Sequence, residues 1–120
     1  MRALVSDGIG RIRMVDVWND GVIECYNGLG PDRSWGIGHF FRRDDGTLVS
    51  IHHNGKAAFT TPGEETSVTT VDLVEPSRSH FTGIFEDVCV GAFDEKIVTF
   101  NQENKISEFP VDKGTTMTIA

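Results

Sequence analysis

His39, His52 and His53, with Asp44 and Asp45 between them in sequence, are the side chains here best suited by type to bind a metal ion or move protons. Their spacing argues against a metal. Adjacent residues of a strand point to opposite faces, so His52 and His53 do not readily chelate one ion together. No HxH, HxxxH or CxxC pattern accompanies them. They read as neutral or partly titrating imidazoles on the surface, with no metal and no cofactor expected. The acid pairs Glu86-Asp87 and Asp94-Glu95 meet the same objection: in a strand the two carboxylates of each pair diverge, which does not suit paired-carboxylate catalysis. Arg42-Arg43 followed by Asp44-Asp45 reads as a solvated hairpin end. P-loop, GxGxxG, GxSxG and zinc-protease motifs are absent, so the chain is read as non-catalytic.

The elements that must position these residues are strands. Asp7-Gly8, Asp20-Gly21 and Asp45-Gly46 lie close to apolar, β-branched residues. Asp-Gly suits a two-residue hairpin turn, because both central residues take φ > 0. The pattern predicts strands over 9–18, 22–26, 35–42, 47–52, 67–74, 84–90 and 96–100. A further strand over 106–109 would pair back on 96–100 across a polar loop. No apolar stripe of helical period has useful length. The best helical candidate is a short turn over 54–58, while 62–66 and 76–79 read as solvated loops. Closing the strands into a small Greek-key β-barrel would remove the exposed edges that many short strands create.

A chain of 120 residues fits one domain and can bury a core without metal or disulfide staples. The formal net charge of -7 is unevenly placed. Residues 1–60 hold seven acids and seven Lys/Arg, and residues 61–120 hold eleven and four. The acidic second half repels phosphates, so any nucleic-acid site belongs on the first half. No run approaches the ~18 apolar residues of a membrane span. The first eight residues turn polar too soon for a signal peptide. A cytoplasmic protein without a membrane partner is expected. Cys25 and Cys89 then read as two buried, reduced thiols.

Three segments, in order, resemble the cold-shock domain, a barrel of the oligonucleotide-binding type. Gly21-Val22-Ile23-Glu24-Cys25-Tyr26-Asn27 is similar to that family's opening Gly-x-Val-Lys-Trp-Phe-Asn strand. Trp35-Gly36-Ile37-Gly38-His39-Phe40 is similar to its Lys-Gly-Phe-Gly-Phe-Ile strand, and Val49-Ser50-Ile51-His52-His53-Asn54 to its Val-Phe-Val-His-Phe-Ser segment. A looser echo spans 92–109. The resemblance implies one barrel domain over 1–120, with an extra strand or hairpin at 1–18, an insertion at 55–91 and a tail at 111–120 that frays. It also implies binding of single-stranded RNA or DNA by base stacking, worth ~1–3 kcal/mol per base. Two-residue alternation puts Trp35, Ile37, His39 and Phe41 on one strand face, and Ser50 with His52 on another. The nucleic-acid face would comprise these six, with Tyr26 and His53. Arg33, Arg42, Arg43 and Lys56 would contact phosphates at its rim.

Several positions depart from the family. Cys25 stands where it has Trp, and Ile37, His39, Ser50 and His53 stand where it has Phe. A second reading follows from those exchanges and from the acidic second half: a protein–protein interaction or assembly module, self-association included, on a barrel that no longer binds nucleic acid.

Overall fold

The computed structural model describes residues 1–6, 12–19, 21–26, 37–61 and 67–113. Every regular element among them is a strand. In chain order they are β1 (Arg2–Ser6), β2 (Ile12–Asp16), β3 (Gly21–Tyr26), β4 (Ile37–Arg42), β5 (Leu48–His52) and β6 (Lys56–Thr61). Then follow β7 (Ser67–Asp72), β8 (Ser79–Phe85), β9 (Val88–Phe93), β10 (Lys96–Phe100) and β11 (Lys105–Pro110). None of the described residues belongs to a helix able to cross a membrane.

The all-β class is as the sequence predicts. Its arrangement is three antiparallel sheets, each a meander of chain neighbours: β1-β2-β3, β4-β5-β6-β7 and β8-β9-β10-β11. Among the described residues no sheet closes on itself and none contains a Greek-key crossover. The closest approach to closure lies between β4 and β8, the edge strands of the middle and last sheets. They lie against each other without joining their ladders.

The middle and last sheets bury the main core between them. Val49, Ile51, Phe59 and Val71 from one side meet Cys89, Phe93, Val98 and Phe100 from the other. Phe59 and Phe100 pack edge to face with ring centroids 5.9 Å apart. Burying one such ring contributes about 2 kcal/mol. A smaller cluster ties the first sheet to the middle one, with Ile12 against Leu48 and with Leu4 and Phe40 alongside. The Cys89 thiol is free and buried, and burial pushes its pKa up. The side chain of Cys25 lies outside the described set.

Turn chemistry separates the expected elements from the observed ones. Gly46 donates its N–H to the Arg43 carbonyl (3.0 Å) and has φ +91°, while Asp45 Oδ1 accepts the Thr47 N–H (2.9 Å). This is a three-residue loop with a left-handed glycine, in place of the expected two-residue turn. The β5–β6 connection repeats it. Gly55 donates to the His52 carbonyl (3.0 Å) at φ +84°, and Asn54 Oδ1 accepts the Lys56 N–H (3.1 Å). Residues 54–58 are therefore a hairpin loop and the start of β6, and the helical turn expected there is corrected. The single strand expected over 84–90 is a hairpin instead. Glu86 (φ 47°) and Asp87 (φ 67°) form its turn, with both φ positive and no glycine.

Residues 1–18 hold β1 and β2, a hairpin as the extension reading allowed. Residues 55–91 supply β6, β7, β8 and the start of β9, and so contribute strands to both large sheets. The predicted pairing of the last two strands is present, with Ile97 opposite Phe109. The loop at 62–66 and the tail from 114 lie outside the described residues.

Gly55 also accepts the N–H groups of Leu73 and Val74 (3.0 and 3.1 Å), so the chain after β7 lies directly on this turn. A Cβ at Gly55 would stand 2.0 Å from the Val74 carbonyl oxygen, whereas one at Gly46 would meet nothing closer than 3.5 Å. Gly46→Ala then carries only backbone strain, about 1–2 kcal/mol. Gly55→Ala adds a backbone clash and is expected to cost roughly 3 kcal/mol or more. Urea unfolding midpoints of the two variants check this; equal losses would show that the clash relaxes.

Candidate functional site

The proposed nucleic-acid face begins on β4, where the two-residue alternation fails. Ile37 is opposite His52 and His39 is opposite Ile51, a register shift that leaves Gly38 without a partner across the ladder. The face drawn through Trp35, Ile37, His39 and Phe41 does not continue past Gly38. Trp35 and Arg33 lie outside the described residues. Tyr26 and Ile37 are placed in β3 and β4 by backbone only.

Beyond the bulge, His39 and Phe41 stand opposite Ile51 and Val49, whose side chains enter the main core. Phe41 is half-buried against that core. His39 Nδ1 lies 3.3 Å from Ser79 Oγ on β8, so this side of β4 is turned toward the last sheet. Burial first, then the nearby His80 and His53, holds the His39 pKa below its ordinary value.

Ser50 and His52 do share a face, as alternation requires, and Ser50 Oγ lies 2.9 Å from His52 Nε2. The expectation that this face is open is corrected: Ser50 is 0% exposed and His52 1%. The reason is that β5 is covered on both sides, so its polar positions are buried with the apolar ones and satisfy each other. Neither can stack on a base. Ser50 and His52 have the residue types of a nucleophile and its base, but a solvent-borne substrate has no route to them at this burial.

The basic residues divide among three tasks. Arg43 Nη2 binds Asp45 Oδ2 (3.0 Å), and its guanidinium lies 5.5 Å from the Phe59 ring centroid, closing the end of the core. Arg42, half-buried, directs Nη1 at the Arg43 carbonyl (3.5 Å). Lys56 pairs with Asp72 (3.3 Å) and lines an open groove of about 560 Å³. Lys96 and Lys105, which share Glu108, stand in the same groove. It is a mixed-charge surface, in contrast to the basic rim expected.

The structure sets His39 near His53 and near His80, which sequence reasoning passed over, while His52 neighbours His53 from the opposite face of the sheet. His80 Nε2 lies 2.5 Å from Asp94 Oδ1, and that hydrogen bond is the main cause of the lowered Asp94 pKa. His80 falls in the stretch taken for an insertion, and nothing local marks it. Among the described residues, no three His, Cys, Asp or Glu side chains gather in a way that could hold a metal ion. In comparisons with known proteins, no family model, curated protein or solved structure matches this chain.

Burial, followed by the neighbouring His53, pulls the His52 pKa from 6.5 down to about 4. The unfolded chain therefore takes up this proton more readily than the folded one. Stability due to a neutral His52 is complete above pH 6.5 and is lost as pH falls toward 4. The loss should reach about 3 kcal/mol. Urea unfolding across that range should show the slope in the native chain and a shallower one in His52→Gln. An identical slope would remove His52 from the account.

Proposed function

We propose that this chain is a non-catalytic interaction module that engages a protein surface, and that single-stranded nucleic acid is not its partner. The observation that carries the reading is the distribution of apolar side chains. Of those nominated for the stacking face, His39 and Phe41 are half-buried, Ser50 and His52 are buried, and His53 is exposed. The large apolar groups left in solvent lie elsewhere. Trp18 is 74% exposed at the β2–β3 turn, with Val5, Val17 and Val22 also exposed on the first sheet. Val5, Val15 and Val22 share the outer face of that sheet, by the pairs Ala3 with Val15 and Val15 with Val22. Aromatic and aliphatic anchors of this kind are how protein interfaces concentrate their binding energy. The acidic balance of residues 61–120 favours the same choice, since it opposes a phosphate backbone.

The scaffold behind the module is read as a flattened, partly open relative of the oligonucleotide-binding barrel. In it, the contact of β4 with β8 stands where a closing ladder would be. The cold-shock resemblance rests on the sequence segments alone.

Sedimentation velocity over a wide concentration range tests the self-association form of this reading. Reversible association that Val22→Asp and Trp18→Ser each weaken is the expected result. A monomer at every concentration would count against it. Salt-sensitive quenching of tryptophan by short single-stranded oligonucleotides, lost in Trp35→Ala, would overturn it in favour of nucleic-acid binding.

A further inference from the structure

The last sheet is apolar on both faces. Its inward positions, among them Cys89, Phe93, Val98 and Phe100, belong to the main core. Strand pairing lines up the outward positions in rows across the strands. One row is Phe81, Ala92, Ile97 and Phe109, and the next is Gly83, Val90, Thr99 and Ser107. Phe85 and Val88 begin a third. None of these side chains is charged, whereas an antiparallel sheet with one face to solvent normally carries polar residues there. None of them enters either core cluster, and Phe85 and Phe109 remain 49% and 48% exposed. Charged groups stand only beyond the rows, with His80 and Asp94 past the first and Glu86-Asp87 past the third. The middle sheet also has apolar groups on its outer side, and there Leu48 is covered by Ile12 of the first sheet.

We propose that the outer face of the last sheet is the contact between two copies of this chain, packed sheet against sheet about a two-fold axis. The proposal rests on the reading of the chain as an interaction module and adds a surface separate from the Trp18 anchors of the first sheet. Charge selects the occupant. Residues 61–120 hold eleven acids against four Lys/Arg, so two copies repel wherever their charged surfaces meet, and the uncharged rows are where they can approach. Relief selects it as well. Phe85 and Phe109 stand at diagonally opposite corners, on the edge strands β8 and β11, and the row between them is small at Gly83, Thr99 and Ser107. A two-fold axis along that row sets Phe85 of each copy against Phe81 of the other, and Phe109 over the corner where β11 has no outward phenylalanine. It also carries the Glu86-Asp87 turn away from its own counterpart. The turn comes instead to the end where Arg78, Lys96 and Lys113 accompany Asp94 and Glu95. By ordinary strand spacings the face covers about 400 Å² in projection, which places the contact in the small, reversible class.

Sedimentation velocity of the full chain separates this surface from the first sheet. A chain with two self-complementary surfaces should form species larger than a dimer. Trp18→Ser with Val22→Asp removes the first-sheet anchors and should leave a reversible dimer. Adding Phe85→Glu to that double variant buries a charge against Phe81 of the other copy and should weaken the dimer about tenfold or more. Should this variant fail to fold, Phe109→Ser, at the opposite exposed corner, should weaken the dimer severalfold. Association that survives the first-sheet substitutions and falls with either phenylalanine supports the last sheet as the contact, even where the first-sheet substitutions change nothing. Association abolished by Trp18→Ser with Val22→Asp overturns this proposal and leaves the first-sheet reading standing. A dimer undiminished by the phenylalanine variant that folds, or a native chain monomeric at every concentration, overturns it too and leaves the face to a different protein.

Discussion

The covering of β5 on both faces is the constraint from which the rest of the structure follows. Its five residues are all buried, with Val49 and Ile51 turned to the last sheet and Leu48 to Ile12 of the first. A strand in that position cannot present a binding face. Its polar residues must be satisfied internally, because a buried polar group without a partner costs about 1–3 kcal/mol. Ser50 Oγ and His52 Nε2 meet part of that requirement with one hydrogen bond. The same burial keeps His52 neutral, which makes the fold sensitive to acid. What resembled a ligand platform is a structural element whose polar content has a stability consequence.

The strand content was legible because it rests on local chemistry. Asp45-Gly46 marks a hairpin correctly, although the glycine follows a type I turn and is not the second of two left-handed residues. Asn54-Gly55 carries the same signal and builds the same loop. It was obscured by Lys56-Ala57-Ala58, whose helical propensity is a weak prior that the pairing of β6 with β5 and β7 overrides. Glu86-Asp87 could not be read as a turn from residue type. Neither residue favours positive φ as glycine does, and the tight β8–β9 pairing imposes it. The loose pairing of the first three strands with the remainder had no sequence signature at all, since Leu48 and Ile12 are far apart in the chain.

The site was less legible than the fold for a related reason. Alternation tells which residues share a face, and it placed Ser50 with His52 correctly. It does not tell which layer covers that face. A third sheet over the middle one makes both faces of β5 interior, and two-state patterning of one strand cannot reveal a layer built by other strands. Alternation also assumes an unbroken pleat. Gly38 breaks it, so a face extrapolated from Trp35 to Phe41 passes through a register shift that no residue type announces. His80 was invisible on both counts, being an unpaired bulge residue on a strand remote in sequence from the other histidines.

Those two bulges lie where the middle and last sheets approach each other without a shared ladder. A closed barrel needs continuous pairing between its first and last strands at a fixed stagger. A ladder between β4 and β8 would join the middle and last sheets while leaving β7 and β11 as edges, and both β4 and β8 are irregular where they approach. Irregular backbone leaves the junction to side chains. His39 suits that task because its half-buried imidazole reaches Ser79 and holds the contact while uncharged. A lysine there would bring a permanent charge to a half-buried seam, and an aliphatic residue would leave the Ser79 hydroxyl, on a buried residue, without this contact. The irregular backbone of the two strands thus leaves their junction to this side-chain contact.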